Sequence, residues 1–358
     1  VMNRYNDYYN ITLRYLGEEY VTLFDVLKEE GYLTASLNGG VDYQGKYGLI
    51  NRTDFFRSYT ANNSNTWSNY GSFQNSTRFI LDWLDGHHEE KFFLQIQSYD
   101  AHCPFGYPFE DDRFDASYEG DIDFSKCYWT FNRTEPIVLD SPSGLVSQYL
   151  VRTSGNSSHR TRMDKQDIDH MVALYDGELR RADSFVGEIL DRVAQLGLME
   201  NTLIVFYSEH GDMFGKHGRF MRGGPMRGSF YDDVLHVPLM IYHPKINSRR
   251  VPSDVSLVDL GPTLLDLLHI RQPQQFSGES FASLLLNDSD EHTPVFAASL
   301  YTPGNKNAFY NETTIVFSVR EGNWKLITEV IFYEDQSLIE YELYNLRVDP
   351  DEKVNVAL

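Results

Sequence analysis

Residues 165–212 run KQDIDHMVALYDGELRRADSFVGEILDRVAQLGLMENTLIVFYSEHGD. Ile168, Met171, Val172, Tyr175, Leu179, Ala182, Val186, Ile189, Leu190 and Val193 recur there with a helical period. That spacing predicts one long amphipathic helix over Lys165 to Gln195. Gly197 is a natural stop. The next run, Thr202 to Tyr207, is β-branched and aromatic, and it reads as a strand buried on both faces. It ends on a polar cluster, Ser208-Glu209-His210-Gly211-Asp212. A helix feeding a buried strand is the unit from which α/β folds are assembled.

The same alternation extends to either side. Thr22 to Glu30 predicts a short helix stopped by Gly31, and Tyr32 to Leu37 a strand. Gln74 to Leu84 predicts a helix with Phe79, Ile80, Trp83 and Leu84 on one face. Lys91 to Ser98, KFFLQIQS, has strand length and leads into Tyr99-Asp100-Ala101-His102-Cys103-Pro104. Residues 104–164 are rich in Pro, Gly, Ser and Asp and read as a long loop or insertion. Val237 to Tyr242 is another strand, and Asp254 to His269 returns to helical spacing. From there the character changes. Ile315 to Leu326 and Ser337 to Leu343 are strand-like with polar turns and no long helix. The expectation is α/β with a mainly parallel central sheet flanked by helices over 1–294, and a small C-terminal antiparallel subdomain over 295–358.

With 358 residues and 41% hydrophobic content, the chain can bury a sizeable core. Its formal charge of −21 argues against non-specific nucleic-acid binding and against docking on an anionic membrane. An anionic substrate stays open, since a pocket can be locally basic. No apolar run has the length of a membrane span. Asn-x-Ser/Thr sequons at Asn10, Asn51, Asn62, Asn75, Asn132, Asn156, Asn287 and Asn311 point to a glycosylated protein of the secretory pathway, secreted or lysosomal. Cys103 and Cys127 are compatible with one disulfide or with two thiols.

Ligands of open α/β sheets bind outside the carboxyl ends of the strands, which singles out the clusters at 98–103 and 208–212. Glu209 and His210 can both bind a divalent cation; the carboxylate suits Ca²⁺ or Mg²⁺, and the imidazole shifts preference toward transition metals. Arg219, Arg222 and Arg227 lie downstream in a Gly-rich stretch, and a guanidinium can grip a tetrahedral oxyanion in bidentate fashion. A solvated basic loop would look the same. No P-loop, dinucleotide fingerprint or G-x-S-x-G elbow is present.

Taken together these residues resemble the sulfatases of the alkaline phosphatase superfamily. SEHGDMFGKHG resembles the motif S-D-H-G-x-x-x-G-x-H-G. LFDVLKEEGYLT, FFLQIQSYDAHCPF, HVPLMIYHP, SLVDLGPTLLDLLHI and YELYNLRVDPDEKVN resemble further family segments in the family's order. The resemblance implies hydrolysis of sulfate esters with a Ca²⁺ ion and a formylglycine made from Cys or Ser in C/S-x-P-x-R. It places Glu209 and His210 as metal ligands and His102 against the sulfate or leaving oxygen. Arg227 would stand where a sulfate-binding Lys is usual, and His217 at the substrate rim.

This sequence also departs from the family pattern. It contains no C/S-x-P-x-R, and the aspartate pair that normally precedes the nucleophile is missing. Asn38-Gly39-Gly40-Val41 replaces the family's G-K-x-H. The expectation is therefore the C-terminal portion of a sulfatase acting on sulfated glycans or another sulfate ester, inactive by itself. Two alternatives stand beside it: a phosphodiesterase or phosphoglycerol-transferase-like enzyme of the same superfamily, and a catalytically silent glycan-binding protein.

Overall fold

The structure is a computed structural model, and it describes residues 4–5, 12–13, 16–39, 48–58, 72–103, 105, 118–120, 148–154, 157–222, 229–287, 293–301, 313–333 and 335–357. The chain forms two compact units. One contains Thr12–Cys127 and Gln166–Thr202, the other Tyr128–Lys165 and Leu203–Leu358.

In the first unit a short antiparallel pair, Arg4–Tyr5 with Thr12–Leu13, precedes helix α1 (Leu23–Glu29). Thr22 starts it with a capping box. The Thr22 hydroxyl accepts the Asp25 N–H, and the Asp25 carboxylate accepts the Thr22 N–H at 2.7 Å. Gly31, at φ +81°, takes the left-handed conformation that turns the chain out of the helix. Strands β1 (Leu33–Asn38) and β2 (Phe55–Ser58), helix α2 (Phe73–His87), strand β3 (Phe92–Gln97) and helix α3 (Lys165–Gln195) follow. The sheet order is β2-β1-β3, all parallel, with Leu33 opposite Phe92 and Ala35 opposite Phe55.

The central strand β1 is buried from Thr34 to Asn38. Two of its polar side chains, Thr34 and Ser36, are hydrogen-bonded. Thr34 donates its N–H and its hydroxyl to Asp54 at 2.9 Å each, and the Ser36 hydroxyl donates to Gln95 at 2.5 Å. Neighbours on a strand point to opposite faces. Accordingly Phe93 meets Phe24 of α1 with ring centroids 5.1 Å apart, while Phe92 meets Trp83 of α2 edge-on at 5.3 Å. The helices therefore flank the sheet on both sides, and the α/β expectation holds.

Some expectations need correction. In α2 the buried stripe is Ser76, Thr77, Ile80, Trp83 and Leu84, and Phe79 lies outside it. The Arg57 guanidinium sits 3.4 Å above the Phe79 ring, so a cation covers a ring that the core does not take. Helix α3 spans the predicted residues, with Met171, Leu174, Ile189 and Val193 buried, but Leu179 and Leu190 are exposed. Arg192 of α3 donates from Nε to Asp85 of α2 at 2.5 Å. Part of the stretch read as a loop is an antiparallel hairpin, Gln148–Ser154 with Ser157–Met163.

In the second unit, β4 (Ile204–Tyr207) and β5 (Leu239–Tyr242) pair antiparallel, Val205 opposite Ile241 and Phe206 opposite Met240. Val205, Leu239 and Ile241 pack against Leu260 of helix α4 (Leu260–Leu267) and against Phe281 and Leu284 around helix α5 (Ala282–Leu286). Phe206, Met240 and Tyr242 are exposed. Thus β4 is half-buried rather than buried on both faces: Ile204 and Val205 are partly covered, while Phe206 and Tyr207 are exposed.

The C-terminal sheet has strands β6 (Val295–Tyr301), β7 (Thr313–Glu321), β8 (Trp324–Phe332) and β9 (Ser337–Asn345) in sequential antiparallel order. Residues 315–326, read as one strand-like run, contain a two-residue turn at Gly322-Asn323, with Gly322 at φ +56°. Val316, Ile327 and Tyr344 of this sheet form one core with Met213, Phe230, Tyr231 and Val234. No helix among the described residues is long and apolar enough to cross a membrane.

Candidate functional site

Two strand ends carry the residues of interest, one in each unit. In the first unit, Asp100 follows β3 and is buried. Its carboxylate accepts the Phe73 N–H at 2.7 Å and so satisfies an orphan donor at the start of α2. Its other oxygen, Oδ1, is buried without a hydrogen-bond partner among the described residues. His102 stacks on Tyr99 with centroids 4.9 Å apart, and its Nδ1 hydrogen-bonds the Cys103 carbonyl at 2.6 Å. Because a carbonyl only accepts, that bond puts the proton on Nδ1 and makes Nε2 the basic nitrogen. Cys103 is buried and disulfide-bonded. Cys127 lies outside the described residues.

In the second unit, the loop after β4 is tightly built. The Ser208 hydroxyl donates to the His210 carbonyl at 2.7 Å. His210 Nδ1 hydrogen-bonds the Gly211 carbonyl at 2.9 Å, which again leaves Nε2 as the lone-pair nitrogen. Gly211 donates its N–H to the Val234 carbonyl at 2.8 Å. A Cβ at this position would lie 2.1 Å from the Asp233 carbonyl oxygen, so the backbones can approach only because residue 211 is glycine. Glu209 is exposed.

Asp212 is the residue that sequence reasoning passed over. Burial pushes its carboxyl up to about 7, with Arg222 opposing that shift and Glu209 adding to it. Its Oδ1 is buried without a partner among the described residues. No sequence signal marked it: Met213, directly after Asp212, is fully buried, and that burial comes only with the fold.

His217 lies in a single 3₁₀ turn, Lys216–Gly218, at φ +49°. Its ring stacks on Tyr231 at 3.8 Å with planes 2° apart, and Nε2 donates to the Asp351 carbonyl at 3.1 Å. Burial holds its imidazole below the ordinary range. Tyr231 and Tyr344 both donate to Glu342 Oε2, at 3.0 and 3.1 Å. Burial, more than the Glu342 charge, raises both phenols. Arg227 lies outside the described residues. Glu209, His210 and Asp212 thus share one loop, His217 sits on the turn that follows, and His102 belongs to the other unit.

A hard cation such as Ca²⁺ takes about six to eight oxygen ligands. Among the described residues no three His, Cys, Asp or Glu side chains gather as a cation cage. What the 208–212 loop offers fits one side of such a site. The Glu209 carboxylate is exposed, and Asp212 holds an oxygen without a partner among the described residues. The His210 ring has the tautomer of a metal ligand, its other N–H tied to a backbone carbonyl.

Comparison with known proteins adds the following. Residues 2–270 match the family model described as Sulfatase, and residues 215–357 match one described as N-sulphoglucosamine sulphohydrolase, C-terminal. Arylsulfatase K of Mus musculus is 27% identical over 374 residues, covering 96% of this chain and 63% of the relative. The chain therefore spans less than two thirds of that relative's length. Among solved structures, BT4656 in complex with its substrate D-glucosamine-2-N,6-O-disulfate matches with TM-score 0.62 at 18% identity, over 99% of this chain and 82% of that one. The phosphonate monoester hydrolase of Agrobacterium radiobacter matches with TM-score 0.64 at 17% identity, over 96% and 77%. At such identities these structures speak for the fold.

Proposed function

The chain belongs to the sulfatase family, and from that footing we propose that it serves the hydrolysis of sulfate esters, with sulfated glycans as the substrate class. The observation that carries this reading is the Ser208–Asp212 loop. It lies at the carboxyl end of β4 and presents a carboxylate beside an imidazole in metal-ligand form. The naming of a relative as an arylsulfatase, and of a solved neighbour by its sulfated glucosamine substrate, supports the substrate class.

In this reading Glu209 and His210 hold Ca²⁺, which when bound neutralises charge on the sulfuryl oxygens. His102 faces the sulfate or the leaving oxygen, with Nε2 as its basic nitrogen. Arg227 grips a sulfuryl oxygen and His217 lines the rim. The formylglycine nucleophile belongs to a C/S-x-P-x-R segment that is not among these 358 residues. Residues 295–358 form a subdomain that supports the metal loop. The protein travels the secretory pathway, a reading supported by the exposed sequon asparagines Asn51, Asn75 and Asn287.

A second reading, phosphoryl rather than sulfuryl transfer, is favoured by one observation: an imidazole next to a single carboxylate suits a transition metal better than Ca²⁺. The deciding experiment is to sequence the transcript upstream of the Val1 codon. An Asp-Asp pair with C/S-x-P-x-R upholds the sulfatase reading, and a lone Thr in the nucleophile position would replace it with phosphoryl transfer. A reading frame with neither would overturn both and leave a glycan-binding role.

A further inference from the structure

The closing segment Asp349-Pro350-Asp351-Glu352 has no part in the chemistry above, yet it is built into the second unit with unusual care. Glu352 is 1% exposed and sits at φ +55°, a conformation a non-glycine residue holds only when its surroundings impose it. Its carboxylate accepts the Asp232 N–H at 2.6 Å and pairs with Lys325 Nζ at 2.8 Å. Lys325, also 1% exposed, reaches the Asp232 carboxylate at 2.6 Å. Arg320 holds the other Asp232 oxygen at 2.8 Å. Residue 232 is therefore gripped by its backbone and by its side chain at once.

Asp232 begins the short helical turn Asp232–Leu235. The same turn receives the metal loop: the Val234 carbonyl accepts the Gly211 N–H at 2.8 Å, and the Asp233 carbonyl lies where a Gly211 side chain would be. Gly211 directly follows His210. From the other side, the Asp351 carbonyl accepts from His217, and the Asp351 carboxylate pairs with Lys216 at 3.0 Å. The tail thus clamps the elements on both sides of residues 209–212.

We propose that Glu352, acting through Lys325 and Asp232, is a positioning residue for the Glu209–His210 loop. The tail and the C-terminal sheet set where that carboxylate and that imidazole stand. Paired charges that are each 1% exposed tolerate little displacement, so the ion pairs transmit geometry rather than merely adding stability. The proposal rests on the reading of this loop as the metal loop, and it is tested without a metal.

The experiment is amide hydrogen exchange, read by mass spectrometry on the full 358-residue chain. In Glu352→Ala, exchange over residues 208–214 should rise about tenfold while residues 239–242 keep the wild-type rate. Glu352→Gln keeps an acceptor for the Asp232 N–H and should show a smaller rise. Leu265→Ala, which truncates a fully buried side chain of α4, is the control for general destabilisation. At an equal loss of melting temperature it should leave 208–214 unchanged. If Glu352→Ala accelerates 208–214 no more than Leu265→Ala does, the positioning role is refuted. Should Glu352→Ala not fold, the comparison of Glu352→Gln with Leu265→Ala decides by the same two outcomes. Mn²⁺ titration of wild type against His210→Ala probes the metal reading separately. Equal affinities there would remove the metal while leaving the exchange result intact.

Discussion

Gly211 shows how much a single position can carry. A side chain there would put its Cβ 2.1 Å from the Asp233 carbonyl oxygen, which leaves no room for a methyl group, and backbone cannot swing aside as a side chain can. Gly211→Ala should therefore cost about 1–3 kcal/mol, read from urea unfolding of the whole chain, with an unchanged midpoint contradicting the close approach. His217 yields a pH prediction. Burial lowers its imidazole; Glu342 and Asp233 pull the other way, the Asp351 carbonyl favours the protonated ring, and Arg219 adds to the lowering. A histidine whose folded value lies below the unfolded one stays neutral in the folded state while the unfolded state takes the proton first. Its contribution is full above the unfolded value of about 6.5 and is lost as pH falls through the folded value. The melting temperature of wild type should accordingly fall more steeply from about pH 7.5 to about pH 5.5 than that of His217→Gln. Parallel curves would show that His217 does not titrate with folding. Glu209, His210 and Asp212 stand within four residues of one another in the chain, so their nearness was legible. The burial of the Asp212 Oδ1 was not, because it depends on Met213 entering a core shared with Val316, Ile327 and Tyr344.

At the scale of elements, periodicity and punctuation were reliable guides. The span of α3 follows from apolar spacing, and the start of α1 from Thr22 and Asp25, whose side chains close the capping box. Thr22→Ala should cost about 1 kcal/mol in thermal or chemical unfolding of the full chain. A loss near zero would mean that the ion pair of Arg52 with Asp25 holds the turn without the cap. The failures share one physical cause. Phe79, Leu179 and Leu190 are apolar and correctly spaced, yet exposure is decided by what lies opposite, and spacing carries no record of that. The same holds for β4, whose residues suit a strand covered on both faces while its observed pairing with β5 is antiparallel and leaves Phe206 in the open. The turn at Gly322-Asn323 was legible in principle, since Gly-Asn between apolar runs is a hairpin signal.

For the molecule as a whole, the sulfatase reading makes a plain prediction about activity. A chain that contains no C/S-x-P-x-R nucleophile motif should not turn over an aryl sulfate above the buffer rate, with or without added Ca²⁺. Turnover by the purified 358-residue chain that His102→Ala abolishes would defeat that expectation. Sequence alone determined the α/β class, the family and the two polar strand ends, because periodic burial and short motifs are local properties written in consecutive residues. Only the tertiary structure decided which groups are dry and which partners they meet: Asp212 without a described partner for one oxygen, Lys325 and Glu352 buried on Asp232, and Gly211 pressed against Asp233. Those contacts join residues separated by twenty to more than a hundred positions. Which distant groups share a desolvated volume is settled only when the core closes, and that is where burial raises the carboxyls of Asp212 and Glu352.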